Sequence, residues 1–147
     1  MTDTGNRAGP ADAHDAARDA LVEMSFVIQD LLGQVADRHQ LSLTQIRLLG
    51  ILRDREPGVL ELARYLNLEK SSVSGLVDRA QQRGLVERKP GTKDGRAVHV
   101  SITPAGRAIA ERIQTALTQP LTDLLAHLPP RQRAQLTRLL RDLLDDR

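Results

Sequence analysis

Apolar residues recur along this chain in more than one rhythm, and the rhythm changes mark its elements. From Leu21, the positions Leu21, Met24, Ile28, Leu31, Leu32 and Val35 fall at spacings of three and four. That spacing places one apolar stripe on a helix of about 22 residues. Ser42 with Gln45 three residues later has the form of a capping box, and Ile46, Leu48, Leu49, Ile51 and Leu52 follow before Glu56-Pro57-Gly58 ends the run. A second, shorter and more buried helix is predicted there. Leu60, Leu62, Ala63 and Leu66 predict a short third helix stopping near Asn67. Val73, Leu76, Val77 and Ala80 predict a fourth that ends before Gly84.

After Gly84 the period drops to two. The runs 85–89 and 97–102 read as strands, with Val98, Val100 and Ile102 sharing a face. Between them Pro90-Gly91-Thr92-Lys93-Asp94-Gly95 carries turn residues, so a β-hairpin with a basic tip is predicted. Thr103-Pro104 pairs an N-cap with a proline at the first helical position, opening a helix through Ile109, Ile113 and Leu117. Pro120 is predicted to kink or interrupt that helix, because it removes a hydrogen bond and clashes with the preceding turn. Beyond Pro129-Pro130, Leu136, Leu139, Leu140, Leu143 and Leu144 form a pure leucine stripe.

Two short helices followed by a basic-tipped hairpin, all within about 45 residues, are the arrangement of a winged helix-turn-helix. The predicted class is therefore mainly α with a small β-hairpin wing. The long N- and C-terminal helices carry more apolar surface than one small winged domain covers, which predicts a dimerisation region and a homodimer. The expected division is a disordered leader at 1–13, helical dimerisation segments at 14–40 and 105–147, and the winged helix-turn-helix at 41–104.

Composition narrows the chemistry. The chain has 147 residues, the scale of one domain, with 40% hydrophobic and 27% charged residues, in the range of soluble globular proteins. No cysteine is present, which excludes disulfides, thiolate zinc sites, thiol nucleophiles and cysteine redox sensing. Phe26 and Tyr65 are the only aromatic residues, too few to stack unpaired bases, which argues against RNA and single-stranded DNA as partners. No uncharged run approaches the roughly 20 residues of a membrane span, and the first 19 residues are acidic and alanine-rich. A cytoplasmic protein without a membrane partner is expected. His14, His39, His99 and His127 are far apart with no i, i+4 pair, so no metal site is read from them. With no Cys/His pair and no glycine-rich phosphate loop either, no enzyme activity and no cofactor are expected.

Formal net charge is only +2, but its distribution is uneven. Residues 79 to 96 hold six basic residues, Arg79, Arg83, Arg88, Lys89, Lys93 and Arg96, against Glu87 and Asp94, a net of +4; extending the window to Asp78 lowers it to +3. A focused basic patch of this kind is the electrostatic footprint of a duplex binder. On the fourth helix the apolar residues cluster on one side, leaving Ser71, Ser74, Gly75, Asp78, Arg79 and Gln82 on or beside the outward face. Small residues near a helix start permit close approach to a major groove, and the free amides there favour phosphate oxygens. Arg79 has the reach for a guanine edge or a phosphate, and Lys93 and Arg96 for the backbone or a narrow minor groove. Simpler roles stand beside these: Ser71 or Ser72 as a helix cap, Arg79 and Arg83 as solvated charges or partners of Asp78 and Glu87. The competing function is a winged helix that binds protein and no DNA, which would show apolar anchors on this outward face.

The segments Leu-Ala-Arg-Tyr-Leu-Asn-Leu from Leu62, Ser-Ser-Val-Ser-Gly-Leu-Val-Asp-Arg from Ser71, Arg-Gly-Leu-Val-Glu-Arg from Arg83, Lys93-Asp94-Gly95-Arg96 and Ile102-Thr103-Pro104-Ala105-Gly106 closely resemble the MarR family of bacterial transcription regulators. The resemblance runs from about residue 15 to the end and is most specific in the middle. It implies a triangular homodimer joined through the first and last helices, acting on a palindromic double-stranded operator, as a repressor that a small ligand releases. The recognition helix carries over to about Lys70–Arg83 and the wing to about Arg88–His99. The family's Asp-x-Arg falls on Asp94 and Arg96, with the arginine in the minor groove and the aspartate orienting a basic neighbour. The DNA-binding residues implied are thus Lys70, Ser71, Ser72, Ser74, Gly75, Arg79, Arg88, Lys89, Lys93, Asp94 and Arg96. A small aromatic or apolar effector is implied near Leu31, Ile46 and Ile109, with no lining residues assigned.

Overall fold

Four helices, a hairpin and two further helices follow one another in the predicted order: α1 (Pro10–Arg38), α2 (Leu43–Leu52), α3 (Val59–Leu66), α4 (Lys70–Gln82), β1 (Val86–Pro90), β2 (Val98–Ile102), α5 (Pro104–Ala126) and α6 (Pro130–Asp145). They are seen in a computed structural model that describes residues 10–91 and 97–145. Local chemistry accounts for most of the boundaries. Ser42 accepts from the Gln45 amide while the Gln45 side chain accepts from the Ser42 amide, a complete capping box at the start of α2. Asn67 ends α3 in the left-handed region at φ +53°, and Gly84 turns the chain after α4 at φ +70°. Thr103 caps α5 through the Gly106 amide at 3.0 Å, with Pro104 at the first helical position.

The core gathers the inner faces of α2, α3 and α4 and the near side of the hairpin. Leu48, Leu49, Leu52, Leu62, Leu66, Val73, Leu76, Val77, Ala80, Leu85, Val86 and Val100 are buried together, joined by Val35 from α1 and Ile113 from α5. On α4 these are the positions that the three-and-four spacing placed inward, and their burial fixes which side of α4 faces out; on α3, Leu62 and Leu66 are buried but Leu60 is exposed. β1 and β2 pair antiparallel with Val86 opposite Ile102 and Pro90 opposite Val98. The Glu56-Pro57-Gly58 stop does more than end a helix. Gly58 forms an antiparallel bridge with His99, and the Val100 amide donates to the Pro57 carbonyl at 2.9 Å, so the hairpin is backed by a third short segment.

Two local expectations need revision. α1 begins at Pro10, inside the segment expected to be a leader. Proline at a helix start and the alanines behind it favour the helix even without an apolar stripe there. α5 is one helix from Pro104 to Ala126, so Pro120 does not interrupt it. The cost of Pro120 is one missing amide, which leaves the carbonyl four residues earlier without its helical donor. Val98, Val100 and Ile102 share a face of β2 as the alternation predicts, with Val98 exposed, Val100 buried and Ile102 half-buried. Ser101, on the opposite face, is buried and donates to a Glu87 carboxylate oxygen at 3.4 Å.

Candidate nucleic-acid interface

The outward side of α4 is a strip of small and polar residues over an apolar underside. Lys70, Ser71 and Ser72 are exposed in its first turn, Ser74 and Gly75 are half-buried, and Asp78, Arg79 and Gln82 complete the exposed face. The N-cap is Glu69, whose side chain makes no capping hydrogen bond. The serines therefore lie inside the first turn and do not cap it. The amides of Lys70, Ser71 and Ser72 have no helical partner by geometry, and no side chain takes them up as Ser42 and Thr103 do at α2 and α5. Oriented amides at a positive helix end form a ready cradle for an anionic oxygen.

The Arg79 side chain has no hydrogen-bond or ion-pair partner among the described residues. Its guanidinium lies back over Gly75, where an added Cβ would stand 3.3 Å from Nη1. The glycine thus makes room for the arginine on the surface expected to meet DNA. The side chains of Arg83, Arg88 and Lys89 are engaged. Arg88 pairs through Nη2 with Asp78 Oδ1 at 2.7 Å and donates through Nη1 to Gln81 Oε1 at 2.7 Å, tying the wing stem to the C-terminal half of α4. Lys89 pairs with Glu87 at 3.1 Å across the same face of β1. That hydrogen bond first, and the Glu87 charge second, raise the Lys89 pKa above its ordinary value. Arg83 donates to the backbone carbonyls of His39 and Gln40. Lys93, Asp94 and Arg96 lie outside the described residues.

The structure accordingly brings Lys70, Ser71, Ser72, Ser74, Gly75 and Arg79 onto one exposed strip, with Arg88 and Lys89 beside it on the wing stem. Sequence reasoning missed Gln81 as a partner of Arg88 and the anchoring of the wing on Pro57 and Gly58. Asp78 was seen as a nearby acid, but as a partner for Arg79 or Arg83. The three-residue spacing of Asp78 and Gln81 places both on one helical face, and that was the signal available. His99 Nδ1 lies 2.9 Å from the Glu56 carbonyl, a contact that helps anchor the wing. Among the described residues no group of three His, Cys, Asp or Glu is placed to hold a metal ion, and no helix is long and apolar enough to cross a membrane.

Residues 39–97 match the family model of the MarR family. The homoprotocatechuate degradative operon repressor of Escherichia coli is 27% identical over 133 residues, covering 89% of each chain. An HTH-type transcriptional regulator of Bacillus subtilis, YdgG, is 30% identical over 110 residues, covering 73% of this chain and 72% of its own. The crystal structure of wild-type MarR in its apo form from E. coli superposes with a TM-score of 0.72 at 28% identity, covering 86% of this chain and 96% of that one. A mainly helical winged fold, an uncapped recognition helix and relatives that are regulators over most of their length lead to one assignment: the chain belongs to the MarR family of transcriptional regulators.

Proposed function

We propose that this regulator is a homodimeric repressor that reads a palindromic duplex with α4 and releases it when a small ligand binds. The observation that carries the reading is the outward strip of α4: hydroxyl and glycine residues at an uncapped helix start, with the Arg79 side chain unpaired among the described residues. Such a strip fits a major groove, where small side chains let the helix approach and an arginine contacts a guanine edge or phosphate. A protein-binding face would need apolar anchors, and the large apolar side chains of α4 are buried beneath it. Lys70, Ser71, Ser72, Ser74, Gly75 and Arg79 make the groove and phosphate contacts in this reading. Arg88 and Lys89 add charge at the wing stem, and Lys93, Asp94 and Arg96 act from the wing. Pairing runs through the apolar residues that α1 and α6 leave exposed, Phe26 and Leu143 among them. Repression fits relatives named as repressors, and the homoprotocatechuate operon of one of them favours a small aromatic effector. A cytoplasmic location fits a protein that must reach DNA.

The test is selection of bound duplexes from random DNA, followed by affinity measurement on the selected site. Arg79→Ala should cost about 1–3 kcal/mol of binding if it contacts a base, and relax the preference at that position. Equal affinity of Arg79→Ala and parent for the selected site would overturn the assignment of α4.

A further inference from the structure

The recognition helix ends on an arginine that grips a distant part of the chain. Arg83, the C-cap of α4, donates from Nη1 to the Gln40 carbonyl at 2.5 Å and from Nη2 to the His39 carbonyl at 3.2 Å. Those carbonyls are 43 and 44 residues away, in the turn that follows α1. Gln40 holds that turn in the left-handed region at φ +54°. Helix C-termini carry partial negative charge and unsatisfied carbonyls. One guanidinium at the end of α4 here holds the turn that follows α1, its fixed fork matching two acceptors in a way a lysine ammonium does not. The bridge matters because α1 packs mainly on α5 and α2, whereas α4 packs on α3 and β1. Arg83 is therefore a direct link between two elements whose main packing partners differ. Its acceptors are neutral backbone groups, so no counter-charge has to remain ionised for it to hold.

We infer that Arg83 is a positioning residue for DNA binding, fixing the angle between α1 and α4. The inference rests on the proposed reading of DNA by α4 and pairing through α1. In a two-fold dimer the two recognition helices must lie about one helical turn, roughly 34 Å, apart to enter successive grooves. A small rotation at the α1–α2 turn moves each of them off that spacing. Arg83 thus contributes to operator affinity without touching the operator.

Two measurements on the full chain test this. The sequence contains no cysteine, so Gln82→Cys supplies one spin label per protomer, and pulsed electron resonance gives the distance between the two α4 helices in DNA-free protein. The parent should give one narrow distribution and Arg83→Gln a broadened or shifted one. Arg83→Lys should fall between them. Operator affinity of Arg83→Gln should fall about tenfold, the scale of one charge-assisted hydrogen bond, with the slope of log affinity against log salt unchanged. A slope reduced by about 0.9 would mark Arg83 as a phosphate ligand and overturn the inference. So would a lowered melting temperature with an unaltered distance distribution, which is the result of simple fold support. If the parent shows no preference for any selected duplex, the DNA reading of α4 fails, and the distance distributions still decide whether Arg83 sets the angle.

Discussion

Gly75 and Arg79 occupy successive turns of one helical face, and the smaller residue decides where the larger one lies. An alanine at 75 removes the entropic penalty of glycine within a helix, a gain of about 0.5–1 kcal/mol. Its Cβ would also press on the Arg79 guanidinium from 3.3 Å and shift it. Gly75→Ala should therefore raise the melting temperature while weakening operator binding, and calorimetry with fluorescence anisotropy checks both signs. A gain in stability with unchanged affinity would show that the position of Arg79 is irrelevant to binding. At this scale the inward residues of α4 were legible, because Val73, Leu76, Val77 and Ala80 report themselves by spacing. The engagement of Arg88 by Asp78 and Gln81 was not. A strand-to-helix contact depends on how closely two elements approach, and no local period encodes that distance.

Elements are bounded where the chain supplies a specific stop, and those boundaries were readable. The box at Ser42 and Gln45, the left-handed Asn67 and Gly84, and the cap at Thr103 all act within a few residues of themselves. What escaped the sequence is set by neighbours. Pro57 and Gly58 pair with β2 because the fold carries them there, and Ser101 is buried on a strand flanked by β1 at one edge and by Pro57 and Gly58 at the other. The join between wing and α5 is the tightest of these packings. A Cβ on Gly106 would overlap the Leu85 carbonyl oxygen and crowd Ile102. The helix-propensity gain of about 1 kcal/mol for Gly106→Ala is outweighed, since a backbone carbonyl cannot swing aside as a side chain can. The substitution should destabilise by about 1–3 kcal/mol in urea unfolding. A neutral or stabilising result would mean that α5 slides readily over the strand.

At the scale of the whole molecule, apolar side chains are divided between a packed core and exposed positions on α1 and α6. No residue of α6 is buried, and Leu143 and Leu144 are 58% and 64% exposed. Phe26 on α1 is 59% exposed. Leu143→Glu with Leu144→Glu should leave the core intact, because neither leucine packs against it. The pair should weaken self-association at least a hundredfold, given about 1.5–3 kcal/mol per buried leucine, as read by sedimentation equilibrium. Undiminished association would place the contact between copies elsewhere. The stripe itself was legible in the sequence; what it meets is not encoded in one chain's pattern.

The account as a whole claims that two copies present two α4 helices to successive major grooves of one duplex. Footprinting on the selected operator tests that claim most directly. Two symmetric protected patches on one face of the duplex, with centres about 10 bp or a multiple of that apart, are predicted. A single protected patch, or uniform protection without a two-fold pattern, would contradict it.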